Sequence, residues 1–323
     1  MKAFRWVTIL AVTGLGGAAC AHSRDMPAPA PASAFVTLGT NSGPVPNPSR
    51  AEPANLLQVG GKNILVDVGD GAAWQLSKID VPLQSVDAVL ISHLHFDHTG
   101  GLFALLSQRY QALSPREIAI YGPPGTKELV AGLVASITSS SELAMNLRQR
   151  SGGGPADGIK VVEVGGGANF AIGDAKISTA ANSHYVLTVK PDDARRISLS
   201  FRFDVPGRSI VYTGDTGPSA AVEQLAKGAD LLVSEIMDPE LSLAARKAAN
   251  PELPGMALAM IGSHFRKQHL SPKEVGLLAS RAGVKALVLT HNAIPESGLA
   301  AAKAAIAESY KGPVTFAADL DKF

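Results

Sequence analysis

From Ala34 onward, short apolar runs alternate with stretches in which apolar positions recur at helical spacing. The short runs are rich in Val, Ile, Leu and Phe and read as strands. A first series covers 35–38, 55–59, 63–68, 86–91 and 117–121. A second covers 160–164, 169–172, 176–180, 197–203, 209–212, 230–233 and 286–289. Helices are predicted over 72–79, from Leu102 to Leu106, over 219–227 and over 300–309. Another is predicted over 125–150, interrupted at Ser139-Ser140-Ser141. The stretch 239–267 reads as a Pro-interrupted helical insert, and Ser271 followed by Pro272 opens a helix over 272–282 as cap and first residue. Two strand series, each closed by helices, predict an α/β domain over 34–323, with two sheets face to face and helices outside.

The chain before this domain has a different pattern. Lys2 and Arg5 give a basic start, and the apolar run from Trp6 to Ala19 is too short to span a bilayer. Ala19-Cys20-Ala21 fits a small-residue cleavage site, so residues 1–21 are expected to be a signal peptide. Cys20, the only cysteine, is alternatively the lipid-bearing residue of a lipoprotein signal, although Gly17 stands where a large aliphatic residue is usual. Residues 22–33 form a Pro/Ala tether. The expected location is periplasmic or secreted, with membrane contact only through the signal or a lipid anchor at Cys20. The domain itself has no cysteine for a disulfide or a thiolate ligand.

Composition narrows the classes further. With 46% hydrophobic and 18% charged residues in 323, the chain has material for a large core and not for disorder. A net charge of +1 argues against a strongly basic nucleic-acid surface, and 5% aromatics supply no obvious platform for stacked bases.

The candidate chemistry is concentrated in His93-Leu94-His95-Phe96-Asp97-His98, between the strand at 86–91 and Gly100-Gly101. Imidazoles and a carboxylate packed this closely at a strand end are the ligand types that suit zinc. Three more donors follow predicted strands: His184 in Asn182-Ser183-His184, Asp215 in Thr213-Gly214-Asp215, and His291 in Leu289-Thr290-His291. Seven donors suit two metals, each with three or four protein ligands and a shared water.

These motifs resemble the metallo-β-lactamase superfamily, in the branch that holds ribonuclease Z, arylsulfatase-type esterases and related phosphodiesterases. Leu38-Gly39-Thr40, the Pro-rich run from Pro44 to Arg50, and Leu65-Val66-Asp67-Val68-Gly69-Asp70-Gly71 resemble that branch as well. The resemblance implies a four-layer αββα sandwich of two mixed β-sheets. It implies that His93, His95 and His184 hold one metal, that Asp97, His98 and His291 hold a second, and that Asp215 bridges them. Asp67 would sit behind these ligands and orient an imidazole. His269 would contact the scissile phosphate or protonate the leaving group, oriented by Glu235; Ser234 stands where the family often has a His. Asp97 would also accept a proton from the attacking water. Two Zn2+ are the implied cofactors, with Mn2+ or Fe as alternatives.

The implied activity is metal-dependent hydrolysis of a phosphodiester, sulfate ester or lactone. Cleavage of a β-lactam amide is the alternative enzyme, and a non-catalytic metal-binding relic the alternative outside catalysis. The export signal and the lack of a basic Gly/Pro arm argue for a small-molecule substrate and against tRNA. A homodimer is compatible with the sequence. His264 has no motif partner and reads as bland, whereas Met256, Met260 and Phe265 in the 239–267 insert suit either an apolar rim over the site or outer-layer packing.

Overall fold

The computed structural model describes residues 33–113, 116–141, 153–187 and 196–323. The expected signal peptide with Cys20, and the tether up to residue 32, lie outside the described residues. The first half runs β1 (Ser33–Gly39), β2 (Ala54–Val59), β3 (Lys62–Val68), α1 (Ala72–Lys78), β4 (Val86–Leu90), α2 (Phe96–Thr99), α3 (Leu102–Gln111), β5 (Ile118–Gly122), α4 (Thr126–Ser141) and β6 (Ile159–Glu163). The second half opens with β7 (Asn169–Ile172), β8 (Ala175–Ala181), β9 (Leu199–Val205), β10 (Arg208–Tyr212), α5 (Ala220–Leu225) and β11 (Leu231–Ile236). It continues through α6 (Pro239–Ala249), α7 (Gly255–Gln268), α8 (Pro272–Ala282), β12 (Ala286–Asn292), α9 (Leu299–Ser309), β13 (Val314–Phe316) and β14 (Asp321–Lys322).

The strands form two seven-stranded sheets, ordered β14-β1-β2-β3-β4-β5-β6 and β7-β8-β9-β10-β11-β12-β13. Read in that order, the first sheet has three antiparallel pairings followed by three parallel ones. The second sheet has the same succession. The duplication that the sequence leaves without a visible repeat is therefore present in the pairing pattern.

Alternation within the strands decides the layers. Phe35, Leu57, Ile64 and Leu90 from one sheet meet Phe201, Phe203, Tyr212 and Val233 from the other in a shared core. The opposite face of the first sheet, with Leu56, Leu65 and Val89, packs on Leu76, Leu102, Leu105 and Val130 of α1, α3 and α4. On the second sheet Val211, Leu232 and Leu287 pack on Val222, Val275, Ala279 and Ile306 of α5, α8 and α9. The result is the four-layer αββα sandwich. Each fully buried Leu or Phe contributes ~1.5–3 kcal/mol, so the central layer dominates what holds the two sheets in register.

Parallel strands bring their carboxyl ends to one edge, where loops can converge on a ligand. Asp67 lies in β3, His93–His98 follow β4, Asp215 follows β10, Glu235 lies in β11 and His291 in β12. His269 is held between α7 and α8, in extended backbone at φ −130° and ψ 162°. A capping box fixes the start of α8: Ser271 Oγ accepts from Glu274 N, and Glu274 Oε2 accepts from Ser271 N at 2.8 Å. The N–H of Met237 donates to Leu270 O at 2.9 Å, tying the same corner to the end of β11.

Three expectations are corrected. The strand at 160–164, grouped by the pattern with the second series, is β6 and pairs in parallel with β5 at the edge of the first sheet. The helix predicted to break at Ser139-Ser140-Ser141 runs through all three serines as α4. Their hydroxyls donate back to carbonyls of the preceding turn, Ser139 to Ala135 O at 3.3 Å and Ser141 to Thr138 O at 2.8 Å, so the helix need not open. Residues 142–150 of that prediction lie outside the described residues. The short edge strands β13 and β14 were not expected from the pattern; β14 carries the chain's end back to β1 in the first sheet.

Candidate metal centre

After β4 the chain makes one helical turn, α2. That turn carries Asp97 and His98 inward and leaves Phe96 85% exposed. It can lie this close to the neighbouring loop because Gly43 has no side chain: a Cβ there would sit 2.1 Å from Asp97 Cβ. The Asp67 backbone is in the left-handed region, at φ 58°. Its carboxylate locks that conformation by accepting from Ser92 N at 2.7 Å, Ser92 Oγ at 2.8 Å and Tyr212 Oη at 2.8 Å. Asp67 Oδ2 also lies 2.8 Å from His98 Nδ1 and accepts from it. His291, in the left-handed region at φ 43°, closes the site from the end of β12.

The hydrogen bonds on the far side of each ring determine what faces inward. His98 Nδ1 carries the proton given to Asp67, so Nε2 is the nitrogen that faces the other donors and is open to a metal once its own proton leaves. Ser92 Oγ spends its proton on Asp67 and accepts from His93 Nδ1 at 3.0 Å, leaving His93 Nε2 bare. His184 Nδ1 donates to Gln268 O at 2.9 Å, leaving Nε2 bare. His93 Nε2 and His184 Nε2 lie 3.1 and 3.2 Å from His95 Nδ1. His95 Nδ1 carries at most one proton and can serve only one of these two nitrogens, whereas a shared cation would serve all three.

The structure brings His93, His95 and His184 into one group, and Asp97, His98, Asp215 and His291 into another, each with donor atoms within 4.8 Å of one another. Asp215 reaches both: Oδ2 lies 3.9 Å from His93 Nε2 and from His184 Nε2, and 3.3 Å from His291 Nε2. Its Oδ1 lies 3.3 Å from His98 Nε2. His291 Nε2 lies 3.5 Å from Asp97 Oδ2. His98 Nε2, His291 Nε2 and Asp215 Oδ1 are buried atoms without a hydrogen-bond partner among the described residues. Unmet buried polar atoms are costly, so these residues fit a metal pair. Five imidazoles and two carboxylates are a donor set for zinc or a neighbouring transition metal.

Without metal, the two groups hold different charges. Burial holds the His93 and His184 imidazoles well below their ordinary range. Burial also opposes charge on His98 and His291, but the Asp215 carboxylate, helped by Asp67 and Asp97, outweighs it at His98 and raises its pKa well above the usual value. At His291, burial is outweighed by Asp215 and the contact with Asp97, which push it up to about 9. Asp97 resists its own burial through His98 and His291 and falls to about 2. The second group is thus two imidazolium ions clamped by carboxylates until a metal replaces their protons.

Beside the donors, His269 Nδ1 lies 2.6 Å from Glu235 Oε2, with both side chains buried. Glu235 Oε1 accepts from Thr216 N. Burial and the nearby Asp215 charge push the Glu235 carboxyl well up, whereas burial drops His269 to about 4. The pair therefore rests as carboxyl and neutral imidazole: Glu235 donates to Nδ1, and His269 Nε2 carries the remaining proton.

The centre opens into a cavity of about 530 Å³. Asp97, His184, Asp215, His269 and His291 line its floor; α6 and α7 form a wall with Arg246, Ile261, His264 and Phe265. The insert is therefore part of the site. Of its expected apolar residues only Phe265 lines the cavity; Met256 and Met260 are 78% and 69% exposed and point elsewhere. Sequence reasoning also missed His264, Gln268 and Arg246. Burial lowers the His264 pKa, and its Nδ1 bonds to Gln268 Oε1. The i,i+4 spacing of His264 and Gln268 on a predicted helix was the available signal.

Sheets, helices and donor set together define a metallo-β-lactamase-type hydrolase. The Beta-lactamase superfamily domain matches residues 62–292. Ribonuclease Z of Mycobacterium avium (strain 104) is 32% identical over 257 residues, which is 79% of this chain and 84% of the relative. Ribonuclease Z of Mycobacterium tuberculosis (strain ATCC 25618 / H37Rv) is 30% identical over 257 residues, 80% of this chain and 84% of the relative. Among solved structures, the metallo-beta-lactamase fold protein YhfI from Bacillus subtilis aligns with a TM-score of 0.63 at 21% identity, covering 90% of this chain and 98% of that one. Human tRNase Z, short form, aligns with a TM-score of 0.61 at 21% identity over the same shares. The chain belongs to the metallo-β-lactamase superfamily, in its ribonuclease Z branch, and is a metal-dependent hydrolase. These relatives correct the expected partners: a small-molecule substrate with tRNA set aside does not stand against relatives that are ribonuclease Z and a fold shared with a tRNase Z and a yeast long-form RNase Z. Net charge, on which that expectation partly rested, averages over the surface and does not report what one cavity accepts.

Proposed function

We propose that this enzyme is a dinuclear zinc phosphodiesterase that cleaves RNA of the tRNA class. The observation that carries the reading is the sharing of Asp215 between two donor groups, with the His269–Glu235 pair directly beside them. Relatives that are ribonuclease Z support RNA as the substrate. Histidine-rich ligation without thiolate favours Zn2+ over Mg2+, which takes mainly oxygen ligands. His93, His95 and His184 would hold one ion, Asp97, His98 and His291 the other, and Asp215 both. When bound, the pair supplies Lewis acidity toward a phosphoryl oxygen and a water activated near neutral pH.

The chain's own residues do the rest. Asp97, ionised down to about pH 2, is placed to accept the proton of the attacking water. His269 gives its Nε2 proton to the leaving ribose oxygen. As that proton departs, the Glu235 proton moves to Nδ1 across the 2.6 Å contact, so the imidazole ends neutral and the carboxylate takes the charge. Thr216 N, bonded to the other carboxylate oxygen, stabilises that charge. Phe265 and Ile261 keep the cavity wall apolar, which strengthens these interactions.

The decisive experiment incubates metal-loaded enzyme with a 3′-extended tRNA precursor, bis-p-nitrophenyl phosphate and nitrocefin. Cleavage of the precursor at one position, abolished by a chelator and restored by Zn2+, is expected, with no nitrocefin turnover. An enzyme holding two metals that leaves the RNA intact would sink the reading. The basic start and apolar run of residues 1–21 support export to the periplasm or beyond, where the substrate would be RNA of this class outside the cytoplasm rather than a precursor under maturation, and cell fractionation checks the location.

A further inference from the structure

Gln268 orients more than the donor His184. Its backbone carbonyl accepts from His184 Nδ1 at 2.9 Å, and its side-chain Nε2 donates to the backbone carbonyl of His184. An amide that donates through Nε2 has Oε1 left as an acceptor. His264 Nδ1 meets that Oε1, so Nδ1 carries the ring proton. An imidazole at or above neutral pH has one N–H, and His264 Nε2 is therefore a lone pair. No hydrogen bond reaches it among the described residues. The ring lines the cavity, its centroid 5.0 Å from that of His269 and 5.8 Å from that of His184.

An acceptor on this half-buried ring, facing the cavity, is suited to a donor on the substrate. A phosphodiester has only acceptor oxygens, so the phosphate cannot satisfy it. With the P–O3′ bond as the one cleaved, the nearest donor on RNA follows from covalent structure: the ribose carbon next to the one bearing the leaving oxygen carries the 2′-hydroxyl. His269 serves the leaving oxygen, and His264 stands beside His269. We propose that His264 Nε2 accepts a hydrogen bond from the 2′-hydroxyl of the ribose that leaves, which makes His264 a specificity-determining residue that selects RNA over DNA. The inference rests on the RNA phosphodiesterase reading. A deoxyribose would leave the acceptor unmet in a partly dry cavity, and unmet polar groups reject analogues more strongly than lost apolar contacts do.

The test pairs changes in enzyme and substrate. One RNA substrate is compared with versions carrying 2′-deoxy or 2′-O-methyl at the nucleotide before the cleaved bond. The wild-type enzyme is expected to lose about tenfold in kcat/KM on either version, because neither offers a donor. His264→Phe should cleave the RNA and the deoxy substrate equally well, and His264→Gln, which keeps an acceptor, should recover part of the discrimination. Metal content and melting temperature verify that each variant is folded; if His264→Phe is not, His264→Gln and the wild-type 2′-O-methyl arm decide. Wild-type cleavage of RNA with no deoxy penalty, or an undiminished penalty in His264→Phe, overturns the inference alone. Failure of the metal-loaded wild type to cleave any of the three overturns the RNA reading and the inference with it.

Discussion

Asp67 Oδ2 and His98 Nδ1 are 2.8 Å apart with both side chains fully buried, and Asp67 is strained into a positive φ to make the contact. The carboxylate thereby sets which nitrogen of His98 is free for a metal. It holds Ser92 and Tyr212 as well, so it joins the first sheet to the second at the centre's back wall.

Asp67→Ala should therefore weaken metal binding without removing any donor. A loss of about 10–100-fold in affinity is expected, the usual cost of removing the partner of a ligating imidazole. Competition with a chromophoric chelator measures it. Unchanged affinity would show that His98 is oriented by packing alone.

Gly43→Ala tests the close approach to Asp97. A Cβ 2.1 Å from Asp97 Cβ forces the carboxylate away from His98 and His291. Metal content should fall from two toward one per chain, with the His93–His95–His184 group still loaded, as elemental analysis would reveal. Two tightly held metals in this variant would mean the loop around Gly43 yields freely.

The protons on the second donor group make metal binding and stability depend on pH in opposite senses. The folded His291 pKa of about 9 lies above its ordinary 6.5. Its contribution to the metal-free protein is thus fully present below 6.5 and lost as pH rises through about 9. His98, also raised, acts in the same direction. The urea midpoint of metal-free protein should fall over that range, and His291→Gln should flatten the fall. Metal must displace these protons, so calorimetry in buffers of different ionisation enthalpy should detect about two released per chain at pH 7. A midpoint that rises with pH, or binding without proton release, would contradict the assignment.

His269→Ala should cut kcat by about 10²–10⁴-fold, the range for a lost general acid, with metal content intact. Glu235→Gln should lower kcat on substrates with poor leaving groups and have less effect on p-nitrophenyl esters, whose leaving group needs no proton. Equal losses on both substrate types would assign the pair to binding instead. Metal loss in His269→Ala would make that residue a ligand, since its ring also lies within reach of His184 and Asp215.

The centre was legible where its chemistry is local. His93 to His98 fall in six consecutive positions between an apolar run and Gly-Gly, and His184, Asp215 and His291 each follow an apolar run. His264 was not legible, because its role depends on a partner one helical turn away and on a cavity closed by distant segments. The serines of α4 misled because propensity does not register hydroxyls bonded back along the helix. β13 and β14 escaped notice because strands of three and two residues carry too little alternation to recognise. Arg246 reads as an ordinary surface charge until the α6–α7 hairpin folds over the donors.

The matched pairing order of the two sheets has a mechanical consequence. Four donors, His93, His95, Asp97 and His98, belong to the half ending at β6, and three, His184, Asp215 and His291, to the half beginning at β7. On the proposed ligand assignment each metal would draw ligands from both, so the ions would act as rivets across the central apolar seam. Stripping them should then loosen one half from the other before either half melts, and a chain cut in the segment between β6 and β7 should need metal to reassemble.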